Sequence, residues 1–130
     1  MAVSTPVTID GVEYNGVHVV SIKRNFQVLD GENAGRVKTG RMERDIIGTY
    51  YNYSIQFDPR ESNPAQYDEL YERITSPWNS HKVVLPYGQT TLTFEAYVAQ
   101  GSDELEIIGP NGNRWKNLTV NIIAMEPQKT

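Results

Sequence analysis

The feature that most constrains this chain is an alternation of apolar and polar residues with period two, which returns along most of its length. Successive side chains of a strand point to opposite faces, so the pattern describes strands with one face on a core. The cleanest case sets Tyr51, Tyr53, Ile55 and Phe57 against Asn52, Ser54 and Gln56. Earlier, Val20, Ile22, Phe26 and Val28 alternate with Ser21, Lys23, Asn25 and Gln27. Arg24 interrupts that apolar side, so its stem is expected along the core and its head at a partner or an edge. Further strands are expected over residues 83–85, at Leu92, Phe94, Ala96 and Val98, and at Leu118, Val120 and Ile122. Shorter ones are expected over residues 105–108 and 7–9, the latter closed by the turn pair Asp10 and Gly11.

One segment has helical spacing instead. Tyr67, Leu70, Tyr71 and Ile74 fall at i, i+3, i+4 and i+7 and share one face. Asn63 suits the N-cap, Pro64 the first helical position, and Gln66 the returning partner of a capping box. Asp68 and Glu69 are placed near the positive end of the helix dipole, and Pro77 ends the helix, expected over residues 64–76. The expected fold class is therefore mainly β (α+β): curved antiparallel sheets forming a roll or sandwich, one packed α-helix, and the order βββ-α-βββ(β).

At 130 residues the chain fits a single domain, and with no cysteine its core has to hold without disulfides. Cysteine-ligated zinc and thiolate catalysis are excluded with them. The net charge of −4 argues against general affinity for nucleic acid. No apolar run approaches the eighteen or so residues of a membrane span, and residues 1–10 do not read as a secretory signal. Synthesis in the cytoplasm is expected. The closing residues 126–130 are polar and read as a frayed tail.

Catalytic signals are weak. His18 and His81 are isolated, at strand ends, and neither has a second histidine at metal-site spacing. Glu43 with Asp45 and Asp103 with Glu104 are carboxylate pairs by type, but each lies in a polar stretch that would not raise a pKa. Asp30, Glu32 and Asn33 have the flavour of a calcium loop without its alternate ligands or closing glutamate. Gly101, Ser102 and Asp103 read as a plain turn, and residues 109–113 as another, without the lysine of a phosphate loop. No catalytic residue, cofactor or metal site is assigned.

Two features remain. Residues 30–45 form a long connection with nearly balanced charge, and such connections tend to be functional or mobile. A solvated hairpin and an arm that orders against a neighbouring subunit are both open readings. Aromatic residues also recur, at Tyr50, Tyr51 and Tyr53 and at Trp78, Tyr87, Tyr97 and Trp115. These suit interfaces and sugar platforms as well as cores. Tyr50, on the face opposite Tyr51 and Tyr53, is the better interface candidate. The candidate subunit interface is thus Asp30, Glu32, Arg36, Lys38, Arg41, Arg44, Asp45 and Tyr50.

Several strings carry a resemblance: Ser-Ile-Lys-Arg-Asn-Phe at 21–26, Leu-Asp-Gly-Glu-Asn-Ala-Gly-Arg at 29–36, and Arg-Asp-Ile-Ile-Gly-Thr-Tyr-Tyr-Asn-Tyr at 44–53. With Leu-Pro-Tyr-Gly-Gln at 85–89 and Asn-Ile-Ile-Ala-Met-Glu-Pro at 121–127, the chain resembles small structural proteins from the tail modules of long-tailed phages and prophages of Firmicutes. The resemblance covers roughly residues 7–127 and carries over no active site. It implies a tail or baseplate component, a virion part once assembled, with other tail proteins as partners and a homo-oligomeric ring as its form. A carbohydrate- or receptor-binding β module is the alternative, favoured if Trp78, Tyr87 or Trp115 lined one groove. A carboxylate-based hydrolase is the third reading.

Overall fold

The computed structural model describes residues 7–14, 16–32, 34–60, 64–110 and 112–129. The elements run β1 (Thr8–Ile9), β2 (Val12–Glu13), β3 (Val17–Asp30), β4 (Gly35–Arg36), β5 (Met42–Glu43), β6 (Ile46–Pro59), α1 (Pro64–Ile74), β7 (His81–Tyr87), β8 (Thr90–Gly109) and β9 (Gly112–Ala124). Seven strands make one antiparallel sheet in the order β2-β1-β7-β8-β9-β6-β3, and β4 and β5 form a separate two-stranded ladder. The fold is the expected mainly β class with one helix.

Connectivity requires the sheet to curl. Its two terminal strands, β2 and β3, are joined by residues 14–16 alone. Four Cα–Cα steps reach at most about 14 Å. A flat seven-stranded sheet would hold those edges roughly 29 Å apart, at about 4.8 Å per strand. The sheet therefore rolls until its first and last strands approach. Inside lie Tyr53, Ile55 and Phe57 of β6, Val83 and Leu85 of β7, Phe94 and Ala96 of β8, and Leu118, Val120 and Ile122 of β9, all buried. Tyr67, Leu70 and Ile74 of α1 join them. The β1–β2 turn is as expected: Asp10 and Gly11 take φ of 53° and 81° between paired Ile9 and Val12, the two positive φ values of a type I′ hairpin.

Several expectations need correction. In β3, Val20 is the extra residue of a bulge between the pairs Val19–Phe57 and Ser21–Gln56, so the strand changes phase there. Val17 and Val19 face the core before the bulge and Ile22 after it, while Val20 is exposed. Phe26 and Val28 do stand on the core side, opposite Tyr51 and Thr49, but the strand has outrun the roll and they are exposed. Tyr71 is also exposed, because only the narrow stripe of Tyr67, Leu70 and Ile74 reaches the sheet. The helix starts at Pro64, so Asp68 and Glu69 lie in its second turn, past the reach of the dipole's end. Gln66 Oε1 accepts the Gly16 N–H and ties the helix to the residues bridging β2 and β3. Asn63, the expected N-cap, lies outside the described residues, as do Asn33 and Asn111.

Two further corrections change the outline of the molecule. Gly101, Ser102 and Asp103 are not a turn but the middle of β8, which runs unbroken for 20 residues through local register shifts. A Cβ on Gly101 would sit 2.9 Å from the Thr119 carbonyl oxygen, so glycine is required by close backbone approach. Nor is the C-terminal segment frayed over the residues described. The Thr49 N–H donates to Lys129 O at 2.7 Å, and the Gln128 side chain accepts from Tyr51 N and donates to Tyr51 O, both at 3.0 Å. Gln128 thereby imitates a strand partner along β6 where β9 has ended.

Candidate interaction surface

The long strands project from the roll as two hairpins, and register fixes their directions. β6 pairs with β9 only from Tyr53 opposite Ile122 to Phe57 opposite Leu118. At Asn117, with φ of 56°, β9 bulges away; Asp58 Oδ1 accepts the Asn117 N–H at 2.7 Å, and Gln56 donates to Asn117 Oδ1 at 2.9 Å. Beyond that point β8 and β9 continue as a hairpin past the Val17–Pro59 end of the sheet. Its base is held by Tyr67 Oη donating to Asp103 at 3.0 Å, and burial together with that carboxylate pushes the Tyr67 phenol well above its ordinary value. Leu105, Ile107 and Ile108 are exposed on it, Ile108 by 77%.

The second projection, formed by β3, β6 and the connection 30–45, leaves the opposite end. The connection is neither an open loop nor packed on the roll. Arg44 grips Asp30 through both carboxylate oxygens, at 2.8 and 3.0 Å, and Gly31 N–H donates to Asp45 O. The hydrogen-bonded Asp30 raises the Arg44 pKa. Further out, β4 pairs with β5, Val37 N–H donates to Arg41 O, and Gly40 N–H to Val37 O with Gly40 at φ 86°. Phe26, Val28, Ile46 and Ile47 are exposed near its base, Val37 and Met42 near its tip.

Of the proposed interface residues, Asp30 and Arg44 are paired with each other at the base of this arm. Asp45 is half-buried beside Gly31, while Glu32, Arg36, Lys38 and Arg41 are exposed along the arm. Tyr50 is half-buried and packs against the apolar cluster, which leaves less of it free than its polar-face position suggests. The apolar residues of the two hairpins were not singled out as surface. Their exposure depends on how far each strand outruns the roll, which alternation does not encode.

Both long hairpins carry an unpaired edge. β3 is the last strand of the sheet, and β8 pairs with β7 only from Thr90 to Ala96, so residues 97–109 of β8 have β9 alone as a strand partner among the described residues. Exposed strand edges of this length recruit other strands.

His81 is 3% exposed, its Nδ1 2.7 Å from Asp10 Oδ2, under Trp78. Asp10 also accepts the Lys82 N–H and lies 3.5 Å from Arg73, whose Nε donates to Tyr14 Oη. Burial works against the Asp10 charge, but the His81, Lys82 and Arg73 contacts outweigh it and hold its pKa below 3.8. The cluster fastens the β1–β2 turn to β7. Arg24 finds the partner expected of it, its guanidinium 5.4 Å from the Tyr87 ring centroid. Trp115 lines a groove of about 620 Å³ beside Tyr67, Trp78 lines another beside α1, and Tyr87 packs edge-on against Tyr51. Neither groove is lined by more than one of the three. Among the described residues no group of three or more histidine or acidic side chains is placed to hold a metal, and no helix is long and apolar enough to cross a membrane.

Comparison with family models, curated proteins and solved structures finds no match in any of the three.

Proposed function

We propose that this chain is a structural subunit of a phage or prophage tail or baseplate, acting without catalysis by associating with copies of itself and with other tail proteins. The observation that carries the association is the pair of unpaired edges, on β3 and on the outer part of β8, at opposite sides of one antiparallel segment β8-β9-β6-β3. Four strands alternate in direction. A copy related by rotation about an axis along the strands therefore presents its β8 antiparallel to β3, the more favourable ladder. Such a contact is heterologous, and it closes into a ring when the rotation per subunit divides a full turn. The tail assignment itself rests on the resemblance of the strings at 21–26, 29–36, 44–53, 85–89 and 121–127. On this reading the protein is made in the bacterial cytoplasm and ends in the phage particle.

The test is Ser21→Lys with Asn25→Lys, at the level of β3 that would face residues 97–103 of β8. Both side chains are exposed on β3, so the fold should be retained, while added lysines on an edge disfavour strand addition. Light scattering coupled to size exclusion should show the wild-type chain as an oligomer and the double variant as a monomer with an unchanged circular dichroism spectrum. A variant that assembles like the wild type would refute the edge-pairing account.

A further inference from the structure

The arm tip and the outer face of the helix carry opposite charge at opposite ends of the molecule. Residues 36–42 hold Arg36, Lys38 and Arg41 and no acid; taking those three cations from a chain of net charge −4 leaves −7 on everything else. The tip is a formed turn, closed by the Val37–Arg41 and Gly40–Val37 hydrogen bonds, with Arg36 also donating to Gly40 O at 2.9 Å. It presents its cations beside the exposed side chains of Val37 and Met42.

At the other end, a groove of about 580 Å³ runs beside α1. One wall is Trp78, 54% exposed, with Val12; the other carries Asp68, Glu69 and Glu72. None of these three carboxylates forms an ion pair among the described residues. Among the described residues the cation lining the groove, Arg73, is engaged by Tyr14 and Asp10 and lies 5.6 Å from the Trp78 ring centroid. The groove thus combines an apolar aromatic wall with acids, where the tip combines cations with Val37 and Met42.

An arm cannot reach the groove of its own chain. β6 runs from the arm at Ile46 to Pro59, beside the helix start, and its 14 residues at about 3.3 Å each separate the two ends by roughly 40 Å. We infer that the arm tip of one copy docks in the helix-side groove of a second copy, joining subunits end to end along the strand direction. This rests on the self-association reading and adds a second contact, perpendicular to the β3–β8 edge contact.

The test uses the full chain. Lys38→Glu with Arg41→Glu reverses the tip, and Glu69→Lys with Glu72→Lys reverses the groove; all four side chains are exposed. By analytical ultracentrifugation each reversal alone should weaken end-to-end association about tenfold or more, and an equimolar mixture of the two variants should recover it. The wild-type association should also weaken between 0.1 and 1 M salt, as the screening length falls from about 10 to 3 Å. Because the chain has no native cysteine to interfere, Val37→Cys and Ser76→Cys variants, mixed and oxidised, should yield the mixed disulfide dimer in excess over the two homodimers. Oligomers unaffected by either reversal would overturn the docking and leave edge association standing. A wild-type chain that stays monomeric at every concentration would overturn both.

Discussion

Replacing Gly48 by alanine tests how the C-terminal segment is held. A Cβ there would lie 2.6 Å from Pro127 Cβ and 2.8 Å from Lys129 O, contacts that no relaxed structure tolerates. Either β6 or the segment must move, and β6 is laddered to β3 along its length, at Gly48 included, and to β9 from Tyr53 to Phe57. The segment is held by five hydrogen bonds, three between backbone groups of Thr49, Gln128 and Lys129 and two from the Gln128 side chain to Tyr51. At about 1 kcal/mol net apiece these contribute about 5 kcal/mol. Ordering residues 127–129 costs about 1–2 kcal/mol each, so docking is favourable by at most about 2 kcal/mol. Overpacking costs about 1–3 kcal/mol, enough to release it. Gly48→Ala should therefore destabilise the domain by about 1–2 kcal/mol, a drop in Tm of about 3–8 °C for this length. Hydrogen exchange should show the Thr49 and Tyr51 amides losing protection while Ile55 keeps its own. Truncation after residue 126 should reproduce the pattern in the wild-type background. Protected Thr49 and Tyr51 amides in the alanine variant would refute the reasoning.

Two smaller perturbations probe the joints between elements. Asp10 has a depressed pKa in the folded state, so its stabilising charge is fully present above about 3.8 and is lost as pH falls through the folded value. Asp10→Asn keeps the positive φ tolerated by either residue and should cost about 1–2 kcal/mol in urea denaturation at neutral pH, with the difference from wild type shrinking below pH 3.8; a gap that stayed constant down to pH 2.5 would assign the cost to packing instead. Tyr67→Phe removes the bond to Asp103 at 3.0 Å and should cost about 1 kcal/mol, with faster hydrogen exchange confined to the β8–β9 hairpin. Uniform loss of protection across the sheet would contradict that local role.

What the chain's pattern made legible depended on what flanked each strand. β6 has neighbours on both sides and the core beneath, so its alternation matched Tyr53, Ile55 and Phe57 directly. β3 was legible as a strand and in phase from Ile22 onward; Val20 alone was misplaced, because it is the extra residue of a bulge and no local signal marks a bulge built from valine. The turn expected at Gly101 failed for a related reason: glycine serves close backbone approach as readily as reversal, and only the Thr119 carbonyl opposite decides between them. Gln128 was unreadable in kind, since its partner Tyr51 is 77 residues away. For the interaction surface, residues 30–45 stood out by length and charge, whereas Phe26 and Ile108 looked like core until the reach of the hairpins was known.

The sheet's neighbour order has a consequence during synthesis. β3 and β6 are close in sequence and can pair as soon as both have left the ribosome, but β9, which pairs with the other edge of β6, follows much later. Ile55 waits for Val120 across 65 residues of translation, about 3–13 s at ordinary elongation rates. Through that interval the Tyr53, Ile55 and Phe57 stripe has no second wall, and the edge later taken by β9 and Gln128 is open to any strand nearby. If the proposed strand-to-strand association is its function, the chain is most exposed to the wrong joining before it is finished, and nascent chains on neighbouring ribosomes are the partners it has to avoid.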